Sequence, residues 1–538
     1  MKEPTRDCAS NISSRRAAAV LAFFALNLAV YLIRIVSVWR YGALFAPTAV
    51  ESPTIDSVWR CIHHRPVYTD PFTFPFSLSL YNYLFYDMYA GVLRLIGAWD
   101  AGILTWGRQF TLVFALAGAL AQWRLVRSLL KLRCTASALA LALALGLWLS
   151  TSLVKYWALS IRPDMAAAAL AMIALWVVVR QPRFAFAYAG VLLYLAWAFK
   201  QSVVLAFAGL CVYLVLHKKG RDLSILVAVF AVLVAATLCL GTPEYRFSIL
   251  VAPRMVKGFA FGLPWILRAL GAGLTALLLN LYWVAAPFLL LRASCLFNAS
   301  AGERPTDSAA SQSAVSEIAA PVRLLATVFA VALVAGLAGM GKVGGTSNYL
   351  FEAFAAGSTL LQIAVFTVPR KLVTALVLFA CAQPALQLAG AAIGYHRPGK
   401  KDMAPIATAA DYAQAVALRD RLATMPRPIF TTNGPLALPW NSTTNGAPAL
   451  VIDPNFQAVA ESRDQNGGIE GMLQRGEIPT VVLASTDLIY LSSLNPNYLE
   501  VAESLQQGTT YHIYQLNKKR ASLFQFSESA RKIIEEAK

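Results

Sequence analysis

Apolar runs long enough to cross a bilayer, about 20 residues each, recur from Ala17 to Gly394 with short polar breaks between them, and then stop. The pattern predicts about eleven spans, at 17–38, 109–130, 135–153, 163–179, 184–199, 202–216, 223–240, 263–291, 322–341, 349–368 and 372–394. The expected fold is mainly α: a polytopic membrane helical bundle over 17–395, after a short segment at 1–16. The first run follows Ser13-Ser14-Arg15-Arg16 and has no small-residue cleavage site after it, which reads as a retained signal anchor. Beyond 396 the period changes. A helical stretch at 409–423 precedes short apolar runs at 428–432, 449–452, 480–484 and 510–515, the alternation of a small C-terminal α/β soluble domain with a partly parallel sheet. A closing helix is expected at 528–537.

The stretch 80–99, LYNYLFYDMYAGVLRLIGAW, is nearly apolar enough to span. It also carries Asp87, Arg94, four tyrosines and Trp99, a mixture that favours the membrane interface. An amphipathic helix lying on the surface fits it better, and 39–108 then becomes one long first outer loop with interfacial helices.

Charge supports this topology. The chain is 58% apolar and 14% charged, with a net charge of +18. The tail holds equal numbers of basic and acidic residues, so the excess lies in the membrane body, clustered at 15–16, 124–133, 180–183, 217–221, 292–304 and 370–371. Lys and Arg hold loops on the cytoplasmic side. The expected orientation in the cell (inner) membrane is therefore N-terminus cytoplasmic and tail extracytoplasmic, or periplasmic. The positive charge records topology, and no nucleic-acid partner is expected. The seven cysteines form no CxxC pair and none lies in the tail, so neither a zinc site nor a disulfide framework is implied.

Ionisable groups at a membrane are costly and mark function by default. The topology leaves Glu51, Asp56, Asp70, Asp87, Asp100, Asp164, Glu244 and Glu352 on the outer side. The segment 50–76, VESPTIDSVWRCIHHRPVYTDPFTFPF, packs carboxylates, histidines and arginines among aromatic residues. Glu51 and Asp56 are the candidate bases, since a carboxylate in reach of a hydroxyl can take its proton as a bond forms. Pro-rich aromatic loops also serve as interfacial anchors, and Asp70-Pro71 is a plain turn. Arg162-Pro163-Asp164 opens a span; Pro and Asp suit a helix start, whereas Arg162 is a fixed cation where a phosphate can be held. Lys200-Gln201 interrupts an apolar stretch as a hairpin, leaving Lys200 either to snorkel or to bind a lipid phosphate. In 342–352, KVGGTSNYLFE, the residues Asn348, Tyr349 and Glu352 enter a span together, as caps or as ligands. In the tail, His512 and Gly467-Gly468 read as structural, and 433–456, with Trp440, Asn441 and Asp453, is a candidate acceptor contact or cover.

Taken in order, these residues resemble membrane glycosyltransferases of the GT-C fold, in particular bacterial relatives of dolichyl-phosphate-mannose protein mannosyltransferases and of the lipid A aminoarabinose transferase. The resemblance rests on the acidic first loop, on His64-Arg65-Pro66-Val67-Tyr68-Thr69-Asp70-Pro71 at its end, on Arg162-Pro163-Asp164, on Lys200-Gln201, and on Asn348-Tyr349-Leu350-Phe351-Glu352. It implies a transferase that takes a sugar from a polyprenyl-phosphate donor and passes it, with inversion, to an extracytoplasmic acceptor: lipid, glycan or protein. A first-loop carboxylate is the base. Arg60, His64, Tyr68, Asp70, Arg162, Asp164, Lys200, Asn348, Tyr349 and Glu352 are the implied substrate contacts, with membrane lipids as further partners. No cofactor or metal is demanded, although the family uses divalent ions in places. The family's first-loop Asp-Glu is here Val50-Glu51, so the base role passes to Glu51 or Asp56. Two other readings stay open: a transporter or flippase, and a non-catalytic binding or assembly protein with the same fold.

Overall fold

The computed structural model describes residues 13–44, 51–72, 78–151, 153–154, 157–180, 183–255, 263–290, 309–341, 347–368, 371–392, 409–427, 429–431, 450–451, 468–484, 498–506 and 509–517. The expected closing helix and the segment 433–456 lie outside these residues.

Each expected span coincides with a helix or a bent pair of helices. In chain order they are α1 (Ser14–Tyr41), the loop helices α2 (Glu51–Ile62) and α3 (Tyr83–Leu95), then α4 (Gly102–Leu129), α5 (Cys134–Ser150), α6 (Asp164–Arg180), α7 (Ala185–Phe199), α8 (Leu205–Leu216) and α9 (Gly220–Leu240). Short turns α10 (Pro243–Arg246) and α11 (Ala252–Met255) lead to α12 (Leu263–Leu279), α13 (Leu281–Val284), α14 (Ala309–Met340), α15 (Phe351–Thr367) and α16 (Lys371–Ala392). Six of the described helices are long and apolar enough to cross a membrane by themselves, or seven with one bent pair. The chain is thus a multi-pass membrane protein. At 13 residues, α3 is about 20 Å long, too short for a hydrocarbon core of about 30 Å.

One expectation needs correction. The run 263–291 is not one straight span: it turns by 88° between Leu279 and Leu281. Asn280 occupies the corner, its side chain donating to the Ala276 carbonyl at 2.7 Å and accepting from the Trp283 indole at 3.0 Å.

The bundle closes around α15, whose residues are buried almost throughout. Small residues let helices approach where lipid provides no hydrophobic drive: a Cβ on Gly118 would lie 2.3 Å from the Trp148 ring. Polar side chains add directional links across α4, α5 and α15. Gln122 accepts from Trp148 Nε1 at 2.7 Å and Ser358 Oγ at 2.9 Å, and Gln362 donates to the Ala140 carbonyl.

The tail comprises α17 (Ala409–Ala423), α18 (Gly468–Gln474) and a five-stranded sheet, β1 (Ile429–Thr431), β2 (Leu450–Val451), β3 (Thr480–Ala484), β4 (Tyr498–Gln506) and β5 (Thr509–Leu516), in the order β2-β1-β3-β5-β4. β1 pairs in parallel with β2 and β3, whereas β5 runs antiparallel to β3 and β4. The sheet is mixed, and β4 was not expected. Ala415, Leu418 and Leu422 of α17 pack with Ile429, Val482 and Ile513. On another cluster Phe430, Met472 and Tyr498 meet Leu78 and Ala252 of the membrane body, so the tail is seated on the loops at one end of the bundle.

Candidate functional site

The loops before α2, α4, α6, α8 and α15 gather at that same end, joined by contacts between their residues. Their first residues make the site. Arg162, just before α6, donates from Nε to Asp164 Oδ2 at 3.1 Å and from Nη2 to the Tyr81 hydroxyl at 2.7 Å. Its guanidinium lies 4.2 Å from the Trp157 ring centroid, a stacking that suits a planar, weakly hydrated cation. Nη1 has no partner among the described residues. The other Asp164 oxygen accepts from Lys200, the residue that ends α7, and from Asn348 Nδ2 at 2.9 Å. The Lys200 ammonium lies 5.8 Å from the Tyr349 ring centroid. Glu352 enters α15 with its Oε1 on the Ala206 amide at 2.7 Å, tying α15 to the start of α8. A recess opens between Asp164, Ser202, Asn348, Tyr349 and Glu352.

Glu51 is placed beside this cluster but enclosed. Both of its oxygens take the Arg108 fork, at 3.0 and 2.9 Å, and Oε1 also accepts the Ile161 amide at 2.8 Å. The side chains of Glu51 and Arg108 are 0% and 1% exposed. The Gly42 carbonyl takes Arg108 Nη1 at 2.9 Å, and a Cβ on Gly42 would stand 2.4 Å from that nitrogen. Glu51 therefore fixes the backbone next to Arg162. Asp56 lies five residues along α2, about 7.5 Å of helix. Its Oδ2 meets Arg60 Nε at 2.9 Å, and it keeps some exposure.

The remaining expected residues are not in the cluster. His64 sits at φ 56° and is 3.2 Å from Arg94. Asp70 accepts from the Phe72 amide at 3.0 Å, a local turn. Tyr68 donates to the Tyr81 carbonyl at 2.7 Å and packs edge-on against Tyr245, so it reaches the cluster only through Tyr81. Burial, then the neighbouring Tyr86 and Tyr245, hold the Tyr68 phenol well above its ordinary pKa; it stays a neutral donor. Burial, then Asp87, pushes the Cys61 thiol up to about 11.

Sequence reasoning missed Arg108, Tyr81 and Trp157. Arg108 carried a readable signal, a cation at the boundary of a span; Tyr81 was read only as an interface residue. Among the described residues one group could converge on a metal ion, Glu500, Glu503 and His512 on the β4–β5 hairpin of the tail, and it is not part of this cluster.

No protein-family model matches the chain, and no curated protein matches it in sequence. Solved structures do match in fold. The ArnT of Cupriavidus metallidurans bound to undecaprenyl phosphate aligns with TM-score 0.55 at 12% identity, over 91% of this chain and 97% of that one. Its apo form gives 0.41 at 14% identity over the same shares, and the Archaeoglobus fulgidus oligosaccharyltransferase, in complex with zinc and sulfate, gives 0.46 at 13% over 91% and 72%. The chain has the fold of GT-C membrane glycosyltransferases.

Proposed function

We infer that this GT-C-fold chain is a membrane glycosyltransferase that moves a sugar from a polyprenyl-phosphate donor to an acceptor on the extracytoplasmic side, where the loop end of the bundle and the tail stand. The observation that carries the reading is the convergence of Arg162 and Lys200, from loops far apart in sequence, on one carboxylate at a helix mouth. Undecaprenyl phosphate in the similarly folded ArnT supports it.

A lipid-linked sugar has its anomeric carbon at the head-group layer, so its departing phosphate needs fixed positive groups there. Arg162 offers the open Nη1, and Lys200 stands on the other side of Asp164. An acceptor hydroxyl attacks the anomeric carbon from the face opposite the phosphate, the C–O bond to phosphate breaks with its electron pair, and the configuration inverts. The hydroxyl proton passes to a carboxylate. Asp56 is the reading favoured here over Glu51, because both Glu51 oxygens are held by Arg108 and Ile161 while Asp56 keeps an oxygen clear of Arg60. Glu51 then acts as a positioning residue.

The test is consumption of a panel of polyprenyl-phosphate sugars by the purified protein in membranes with a crude acceptor extract. Wild type is expected to consume one donor, and Asp56→Asn to lower kcat by about 100-fold or more while the protein stays folded. Consumption of no donor defeats the transferase reading in favour of a transporter or a binding protein. Full activity in Asp56→Asn removes Asp56 as the base.

A further inference from the structure

Strand β4 lies at the edge of the tail sheet, paired among the described residues with β5 alone. Along a regular strand, side chains three apart point to opposite faces, which would separate Glu500 from Glu503. A bulge brings them together. Glu500 stands opposite Tyr514 and Ala502 opposite Ile513, which leaves Val501 as the extra residue and sets Glu503 opposite His512. Tyr514 and His512 are two apart on β5 and share a face, so both carboxylates flank one imidazole. Bulges re-aim side chains in this way beside functional sites. His512 Nδ1 lies 2.7 Å from Glu500 Oε1 and 3.4 Å from Glu503 Oε1, and one ligand atom from each of the three residues fits within 4.8 Å of the others.

An ion pair does not need this arrangement. One Nδ1 proton serves one carboxylate, and Glu500 takes it at the shorter distance; Glu503 adds a second negative charge to a pair already complete. Charge on an edge strand discourages pairing with other chains, but that role asks for no shared face with an imidazole. A cation accounts for all three residues. At bond lengths of about 2.0–2.1 Å, two ligands of a tetrahedral ion stand about 3.3 Å apart. The Glu503 separation is already close to this, and the Glu500 side chain, 40% exposed, has room to open. An imidazole with two carboxylates and no thiolate suits a first-row divalent ion such as zinc.

We propose that Glu500, Glu503 and His512 Nδ1 hold a divalent cation of the zinc class on the tail, with water in the remaining position, and that the ion fastens β4 to β5. Tyr498, two residues before Glu500, lies on the same face and packs, with Tyr514 and Leu516, in the cluster that meets Leu78 and Ala252 of the membrane body. The ion therefore steadies the strand through which the tail is seated. The proposal does not depend on the transferase reading.

The test uses full-length, tag-free protein in detergent, stripped with EDTA and dialysed against zinc chloride, with bound zinc counted by elemental mass spectrometry. Glu500→Gln, Glu503→Gln and His512→Ala are each expected to lose a zinc that wild type retains at the same free concentration. Loss of even an outer-shell partner weakens metal binding by about 10- to 100-fold, so loss of a ligand is expected to weaken this site by about 100-fold or more. Zinc is also expected to slow hydrogen exchange across Tyr498–Gln506 in wild type and not in His512→Ala, a reading that zinc bound to the membrane body does not move. Equal zinc retention by wild type and all three variants overturns the proposal, and so does exchange in β4 that zinc leaves unchanged. Calcium that protects β4 as well as zinc does, in wild type and His512→Ala alike, also overturns it, in favour of a plain acidic pair. If His512→Ala fails to fold, Glu503→Gln, whose side chain is 64% exposed, decides by the same two readings.

Discussion

Replacing Arg108 by methionine is expected to destabilise the protein more than any change at the surface of the bundle. The pair it makes with Glu51 is closed to solvent and bidentate, and the third guanidinium nitrogen is taken by the Gly42 carbonyl. Removing one partner of such a pair leaves an uncompensated buried charge, at a cost of about 3–5 kcal/mol. Glu51→Leu combined with Arg108→Met leaves no charge behind, and the ion pair as such is then nearly neutral. What remains is the Ile161 amide without its acceptor, about 1–3 kcal/mol. The double variant is therefore expected to be no worse than Arg108→Met alone, a coupling of at least about 2 kcal/mol between sites 57 residues apart. Unfolding by titration with sodium dodecyl sulfate in mixed micelles, followed by tryptophan fluorescence, measures all three variants. A cost for Arg108→Met under about 1 kcal/mol, or a double variant that costs the sum of the singles, refutes the reasoning and with it the positioning role given to Glu51.

Tyr81→Phe removes the hydroxyl that takes Arg162 Nη2; affinity for undecaprenyl phosphate, measured by quenching or calorimetry, is expected to fall by about tenfold, and an unchanged affinity argues that Tyr81 does not orient the guanidinium. The Cys61 thiol, pushed up to about 11, is about 100-fold less ionised at pH 8 than an ordinary cysteine. Its alkylation by iodoacetamide is expected to be slow and to keep accelerating up to pH 10, with Asp87→Asn speeding it; a rate that levels off near pH 9 contradicts this. Gly118→Ala drives a methyl into the Trp148 ring and is expected to cost about 1–3 kcal/mol, read as a lower midpoint in the same detergent titration.

The helices were legible because each is a long apolar run ended by charge, and the α3 stretch because its tyrosines, Arg94 and Asp87 mark an interface. The bend at Asn280 was harder to see, since one polar residue in an apolar run reads as noise unless its partner Trp283 is known. Strand β4, YLEVAESLQ, carries Glu, Ala and Leu, residues that favour helices; its pairing with β5, through a bulge between Glu500 and Ala502, overrides that preference. In the site, Arg162, Asp164, Lys200, Asn348 and Glu352 stood out as polar residues at the ends of apolar runs. Their pairings did not. Asp164 and Asn348 are 184 residues apart, and no local period carries such a distance. Arg108 was passed over for the same reason: only the folded chain shows that it neutralises Glu51.

The charge balance of the cluster bears on what it can do. Arg108 and Glu51 cancel each other, and Arg162 and Lys200 share the single carboxylate of Asp164. Charges at a membrane are retained where a ligand or a pathway repays their cost, and Arg162 is the cation of the cluster whose Nη1 lacks a partner among the described residues. In the transferase reading, a lipid phosphate takes that open donor. Because each cation already leans on Asp164, the phosphate meets groups that are fixed in place but partly neutralised. In the same reading, that arrangement stabilises the charge that develops as the bond to the sugar breaks, and it holds the spent lipid phosphate less tightly than two bare cations would. A transferase site built this way would favour turnover over capture, with Asp164 setting the balance between them.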